Sequence, residues 1–288
     1  MTPNKNYCPL TATPFKKNTA YKEVPPITQL EPYIRCFWGT EKPYLQEEKD
    51  IRAGIVIPDT CVDIIYYIDY TENKVVGGFC GINDQSFYAA GAKWPGHLTA
   101  TFAIRFFAWS AYAFAEDSLK DTVNGYYEVA SRFEWLDKMI RPKLLELVTL
   151  TEKISYVERL LLRKAANVRE NRIVNDVINN MLINRGVLEI SDLARESFVS
   201  SRQLERLFHE YVGITPKKLS NLIRYQLLWR DILYRPDFNI LNAVHQYGYT
   251  DQSHLLREFK RYHSMDIQSA KAAAFKNVEN IHKTFVKR

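Results

Sequence analysis

Two short stretches of the chain carry side chains whose types and spacing suit hydrogen bonding to base edges. One holds Gln252, Ser253, Leu256 and Arg257, the other Ser201, Arg202, Glu205 and Arg206. Within each set two adjacent pairs lie three to five positions apart, so on a helix they share one side. An arginine fork matches guanine O6 and N7, glutamine matches adenine N6 and N7, glutamate accepts from cytosine N4, and an outward leucine meets a thymine methyl. Behind each set runs an apolar stripe, Leu255, Phe259 and Tyr262 at i, i+4, i+7 and Leu204 and Phe208 at i, i+4. Burial of that stripe leaves the polar side standing out. For Glu205 an ion pair with Arg202 or His209 stays open as a second role, and His254 either meets phosphate or caps and packs. Lys217, Lys218, Arg224, Lys260 and Arg261 flank the two sets, where cations would bond phosphate oxygens.

The elements that position these residues form a repeat. "SSRQLERLFHEYVGITP" and "DQSHLLREFKRYHSMDI" align at an offset of 51, pairing Leu204 with Leu255, Arg206 with Arg257, Phe208 with Phe259 and Tyr211 with Tyr262. Each follows a short helical segment, "SDLARES" or "ILNAVHQYG". Short helix, turn and amphipathic helix, twice, make a pair of helix-turn-helix units, 190–213 and 239–264. In such a unit the second helix enters the major groove with its N-terminal residues at the bases, and two units reach successive turns roughly 34 Å apart. Ser191 and Ser200 are placed to cap the helices of the first unit. "LSNLIRYQLLWRDILYR" makes the joining helix, packing through Leu219, Leu222, Ile223, Leu227 and Ile232 and stopped by Pro236. Ahead of the pair, "NVRENRIVNDVINNMLINRG" buries Ile173, Val174, Val177, Ile178, Met181 and Leu182, opens at an Asn167/Glu170 capping-box spacing and ends at Gly186.

Charge divides the chain at the same place. Residues 1–167 hold 20 basic and 20 acidic side chains, so the net +6 lies wholly in 168–288, with 19 basic and 13 acidic. A basic half beside a neutral one points to an anionic partner. A length of 288 residues gives a prior of about two domains. Residues 24–110 are strand-rich, "GIVIPDTCVDIIYYIDY" and "HLTATFAIRFF" being β-branched and aromatic runs between turn signals. The most apolar stretch, "LTATFAIRFFAWSAYAFA", carries Arg105 in its middle and falls short of the roughly 20 apolar residues that span a bilayer. It suits a buried strand followed by a short helix. The N-terminus has no apolar signal core. Cys8, Cys36, Cys61 and Cys80 show no zinc-type spacing, which leaves reduced thiols.

Asp59, Asp63 and Arg105 lie in or beside apolar strands, as a buried ion pair or a ligand pocket, and Tyr66, Tyr67, Trp94 and Trp109 would line an aromatic pocket or pack as core. "TLTEKISYVERLLLRKAA" opens with a Thr149…Glu152 capping box and carries Ile154, Val157 and Leu161, as a spacer, a packing element or a dimer seam. The organisation is therefore α+β with two domains. A β-rich, sensor-like domain occupies 1–130, a helical linker 131–166, and an all-α domain with two helix-turn-helix units joined by a long helix 167–288.

"ISDLA", "SSRQLERLFHEYVGITPKKL" and above all "GYTDQSHLLREFKRY" resemble the DNA-binding module of the AraC/XylS family of bacterial transcription regulators. "EPYIRCFWG", "VIPDTCVDIIYYI" and "AIRFF…AYAF" resemble a domain of unknown function often found ahead of that module. The resemblance implies a cytoplasmic, sequence-specific regulator, activator or repressor, that is not an enzyme. Its partner would be double-stranded DNA, with no cofactor, no metal and no membrane. It further implies an N-terminal domain that senses a small-molecule effector or makes a homodimer, and RNA polymerase as partner if the chain activates; the candidates for an effector site, Asp59, Asp63, Arg105, Trp94 and Trp109, come from the strand pattern and not from the resemblance. Two other classes stay open, a nonspecific architectural DNA binder and an N-terminal enzyme domain tethered to DNA. The chain departs from the family where a Gly and a Pro would end the second repeat: Ser264 and Ile267 stand there, against Gly213 and Pro216 in the first. That predicts a looser or longer turn. Ala243 and Val244 replace a larger residue followed by Ala, and "FFAWSAYAF" replaces a Pro-Gly turn.

Overall fold

The structure, a computed structural model, describes residues 7–10, 21–47, 55–88, 94–166 and 168–276. Strands β1 (Tyr21–Val24), β2 (Ile34–Thr40), β3 (Tyr44–Leu45), β5 (Cys61–Asp69), β6 (Lys74–Cys80), β8 (Leu98–Phe107) and β9 (Tyr126–Tyr127) form one antiparallel sheet. Its order is β1-β2-β8-β5-β6-β9, with β3 also on β8. A two-stranded ribbon pairs β4 (Ile55–Val56) with β7 (Phe87–Tyr88). β8 lies between β2 and β5, and Phe102, Ala103, Ile104, Arg105 and Phe106 are all buried. Covered on both sides, a strand becomes a continuous apolar run, and an arginine within it needs a partner. After β8 the chain tightens into a 3-10 turn, Ala111–Ala113. Ser110 Oγ anchors it by donating to the carbonyls of Tyr33 and Phe107.

Helices α1 (Ala130–Ile140) and α2 (Leu150–Ala165) belong to this body. The Tyr66 hydroxyl donates to Asp137 at 3.0 Å, the Ile27 amide to Glu158 at 2.8 Å, and the Leu150 amide to the Glu41 carbonyl at 3.1 Å. α2 opens with the complete Thr149–Glu152 capping box. Of its three open roles it takes that of a packing element, with Ile154, Val157 and Leu161 buried.

The rest is helical: α3 (Arg172–Ile183), α4 (Ile190–Glu196), α5 (Ser201–Tyr211), α6 (Pro216–Tyr234), α7 (Ile240–Gln246), α8 (Gln252–His263) and α9 (Ile267–Lys276). The strand-rich first part and helical second part match the α+β expectation. Caps set most of these boundaries. Ser200 accepts from the Gln203 amide, Asn239 from those of Leu241 and Asn242, Asp251 from His254, and Thr215 caps α6 ahead of Pro216. Two cap assignments are corrected. α4 begins after Glu189, which makes no side-chain cap, and Ser191 lies inside its first turn. α3 is capped by Asn171, which accepts from Val174; Asn167 lies outside the described residues. Gly186 ends the α3 region at φ +72, where a Cβ would stand 2.2 Å from the Ser220 carbonyl oxygen, so only glycine fits.

The helical part is seated on the sheet-bearing part. Gln226 of α6 accepts from the Leu10 amide at 2.8 Å and donates to the Pro58 carbonyl. Arg169 donates to Tyr112 Oη at 2.8 Å and to the carbonyls of Ala115 and Glu116. Tyr112 and Tyr211 pack with ring centroids 4.1 Å apart.

Candidate nucleic-acid interface

The two reading helices are built alike. In α5 Leu204 and Phe208 are fully buried, and in α8 Leu255, Phe259 and Tyr262 are buried, all against α6 and its neighbours. Turned away from those stripes, Ser201, Arg202, Glu205 and Arg206 on α5 and Gln252, Ser253, Leu256 and Arg257 on α8 are all exposed. The structure thus presents each set together on one open face. Leu256 is 37 % exposed, an apolar side chain held outward among polar ones. His254 takes the packing role, its ring edge-on to Tyr249 at 5.3 Å.

The flanking cations divide. Lys217, Lys260 and Arg261 are exposed, and Lys218 is exposed but ion-paired to Asp84 at 2.6 Å. Arg224 is corrected: it is buried inside the helical domain, not on a DNA-facing surface. Its guanidinium donates to both oxygens of Glu258 at 2.7 and 2.9 Å and lies 4.4 Å over the Tyr249 ring, whose hydroxyl also donates to Glu258. Sequence reasoning passed over Glu258, although the signal was present. With Leu255, Phe259 and Tyr262 it completes an i, i+3, i+4, i+7 stripe, and a carboxylate on a buried stripe demands a cation.

Of the residues nominated for an effector, Asp59, Asp63 and Arg105 come together and the two tryptophans do not. Asp63 and Arg105 face each other across β5 and β8, joined through Arg105 Nε and Nη2 at 2.9 Å each. Asp59 lies 3.7 Å from Arg105 Nη1 and accepts from the Cys61 amide. Burial pushes the Asp59 carboxyl up to about 6, with Arg105 pulling the other way. This is a structural ion cluster that lets β8 carry an arginine through the core. Trp94 and Trp109 lie beyond opposite ends of β8, a strand of ten residues and so about 30 Å long, and cannot line one pocket. Tyr66 is fully buried against Asp137. Trp109 instead borders a cleft of about 240 Å³ between the two parts of the chain, with Tyr33, Tyr112, Arg169, Glu170 and Tyr211.

Comparison with known proteins assigns both parts. Residues 193–273, covering both units from within α4 into α9, match the Helix-turn-helix domain family in its AraC type. Residues 193–273 are an AraC-type helix-turn-helix domain. Residues 22–128, the sheet region, match a domain of unknown function (DUF6597). With the AraC-type domain the chain is a DNA-binding transcription regulator. No curated protein matches the chain. Among solved structures, an AraC-type transcriptional regulator from Chromobacterium violaceum is 22 % identical at TM-score 0.32, over 36 % of this chain and 90 % of that one. ToxT from Vibrio cholerae O395 is 10 % identical at TM-score 0.38, over 84 % and 98 %. ToxT with a bound unsaturated fatty acid, from Vibrio cholerae strain SCE256, is 10 % identical at TM-score 0.34, over 88 % and 96 %. The assignment rests on the two family matches.

The second unit closes in the same left-handed way as the first. Ser264 holds the left-handed backbone of the missing glycine at φ +60, closing α8 as Gly213 at φ +84 closes the first unit. The expected looser turn is therefore absent, and the left-handed serine carries a strain of about 1 kcal/mol. Ala243 and Val244 are buried, so α7 packs closely with its smaller residues.

Proposed function

We propose that α5 and α8 read two successive major-groove segments of one DNA face, and that the N-terminal domain governs when they do so. The carrying observation is that eight hydrogen-bonding or apolar side chains suited to base edges stand exposed on two equivalent helices, while the stripes behind them are buried and a single helix, α6, joins the units. Arg202, Arg206 and Arg257 supply guanine contacts, Gln252 an adenine contact, Glu205 a cytosine contact and Leu256 a thymine methyl contact, with Ser201 and Ser253 bonding either base type. Lys217, Lys260 and Arg261 hold the backbone. A small-molecule effector entering the cleft at Tyr33, Trp109, Tyr112 and Tyr211 would touch both parts of the chain at once. Homodimerisation would double the site, and an activator would also meet RNA polymerase.

Cys36 and Cys61 are buried with thiols pushed well up by that burial, which makes them poor nucleophiles. Among the described residues no group of three or more His, Cys, Asp or Glu could hold a metal.

The test is selection of bound DNA from a random pool by the full chain at fixed physiological salt. Enrichment of two blocks about 10 base pairs apart supports paired reading helices. Tight retention without enrichment indicates architectural binding, which lacks a large specificity ratio, and would overturn this reading.

A further inference from the structure

The N-terminal domain holds the C-terminal end of each reading helix at equivalent places. In the last turn of α5, the Glu210 carbonyl accepts from the Leu119 amide at 2.9 Å and from Ser118 Oγ at 3.3 Å. The fit is close enough that a Cβ on Gly213 would lie 2.8 Å from the Leu119 carbonyl oxygen. Fifty-one residues on, after α8, the Ser264 hydroxyl is hydrogen-bonded to that of Ser86. The serine that replaces the family's glycine thus keeps its strained backbone and makes a bond between domains that glycine could not.

Between these two anchors the loop after β6 presents a carboxylate. Asn124 fixes it from its own domain, donating to Asp84 Oδ1 at 2.6 Å and accepting from the Asp84 amide at 2.9 Å. The other oxygen accepts from Lys218 Nζ at 2.6 Å. Burial raises the Asp84 carboxyl, but the bonds from Lys218 and Asn124 and the charge of Arg261 outweigh it and hold the group below the usual carboxylate range. Lys218 and Arg261 are two of the cations whose place beside the reading helices suits phosphate.

We propose that this loop is an intramolecular stand-in for a DNA phosphate: Asp84 occupies Lys218, Ser86 clasps Ser264, and the loop must leave before the backbone can settle against both units. The proposal rests on the DNA-reading function given above and names how that function is held back. Whatever draws the loop away, a ligand in the domain cleft or a second copy, frees one cation and unpins α8.

Full-length Asp84→Asn, which keeps the Asn124 contacts, is titrated beside the wild type against the selected DNA site across a salt series. Loss of the ion pair should tighten binding about two- to fivefold. The gain should be largest at low salt and shrink as salt rises, because salt screens the Lys218–Asp84 pair that only the wild type must break. Lys218→Ala should abolish the gain in the Asp84→Asn background, a non-additivity that a merely structural loop would not show. Ser264→Gly, which keeps the turn and loses the bond to Ser86, should also tighten binding. Unchanged or weakened binding by Asp84→Asn, in a chain whose wild type selects a site, overturns the latch alone. Failure of wild type and Asp84→Asn alike to select any site overturns the DNA-reading function with it.

Discussion

Arg224 separates a structural cation from a DNA-binding one. Its side chain and that of Glu258 are 10 % and 9 % exposed, so removing the arginine strands a carboxylate in the helical core. Breaking such a pair typically costs about 3–5 kcal/mol. Here Glu258 keeps the hydroxyl of Tyr249 at 2.9 Å, and a bond to a charged group recovers about 1.5–3 kcal/mol of otherwise lost solvation. The lower end of the range is therefore expected, about 3 kcal/mol for Arg224→Ala, measured by urea unfolding of the full chain. Replacing both partners, Arg224→Met with Glu258→Met, removes the stranded charge and should recover most of the loss. Under native conditions the single variant that remains folded should bind the selected DNA site with an unaltered salt slope, because no phosphate contact has gone. An Arg224→Ala chain as stable as wild type, with a salt slope reduced by about one, would refute this reasoning and return Arg224 to the phosphate-binding set.

Other expectations follow from the same geometry. Arg257→Ala should lose about 1–3 kcal/mol of binding and relax base preference at one position, whereas Lys217→Ala should weaken all sequences alike and lower the salt slope by about one; a uniform loss for Arg257→Ala in a repeat selection would remove it from base reading. Phe198, in the turn between α4 and α5, is 97 % exposed and held at φ +57, so Phe198→Gly should raise stability by about 1 kcal/mol, and a lower unfolding midpoint would contradict that. His263, buried between Tyr225 and Trp229, has its pKa lowered to about 4 by burial. Its folded pKa lies below the unfolded value, so the stability it contributes is present above about pH 6.5 and is lost as pH falls towards 4, by up to about 3 kcal/mol. The stability difference between wild type and His263→Phe should therefore shift in favour of the variant across that window, and a constant difference would exclude a neutral buried histidine.

Much of the site was legible because its signals are local. Leu255, Phe259 and Tyr262 mark one face of a helix by spacing alone, and the residues turned from them are consequently outward. Ser200 and Thr149 cap where they were expected because a cap needs only an amide three residues on. The left-handed turn at Ser264 was misjudged because the sequence shows the absent glycine but not the hydroxyl partner, Ser86, 178 residues away. Arg224 was misplaced for a related reason. A basic residue on a long helix looks like a surface cation until the helix is seen to be covered on nearly every side, with residues 222–229 all buried.

The sequence by itself determined that there are two amphipathic reading helices, what they expose, and that the sheet has a β8 able to pass through a core. These properties depend on periodicity within a dozen residues. Only the tertiary structure decided that Asp63 neutralises Arg105, that Trp94 and Trp109 stand at opposite ends of a strand, that Glu258 takes Arg224, and that Asp84 holds Lys218. The three ion pairs among these join residues from 34 to 134 positions apart. Charge complementarity says that every buried ion needs a partner, but the chain path through space chooses which one it meets.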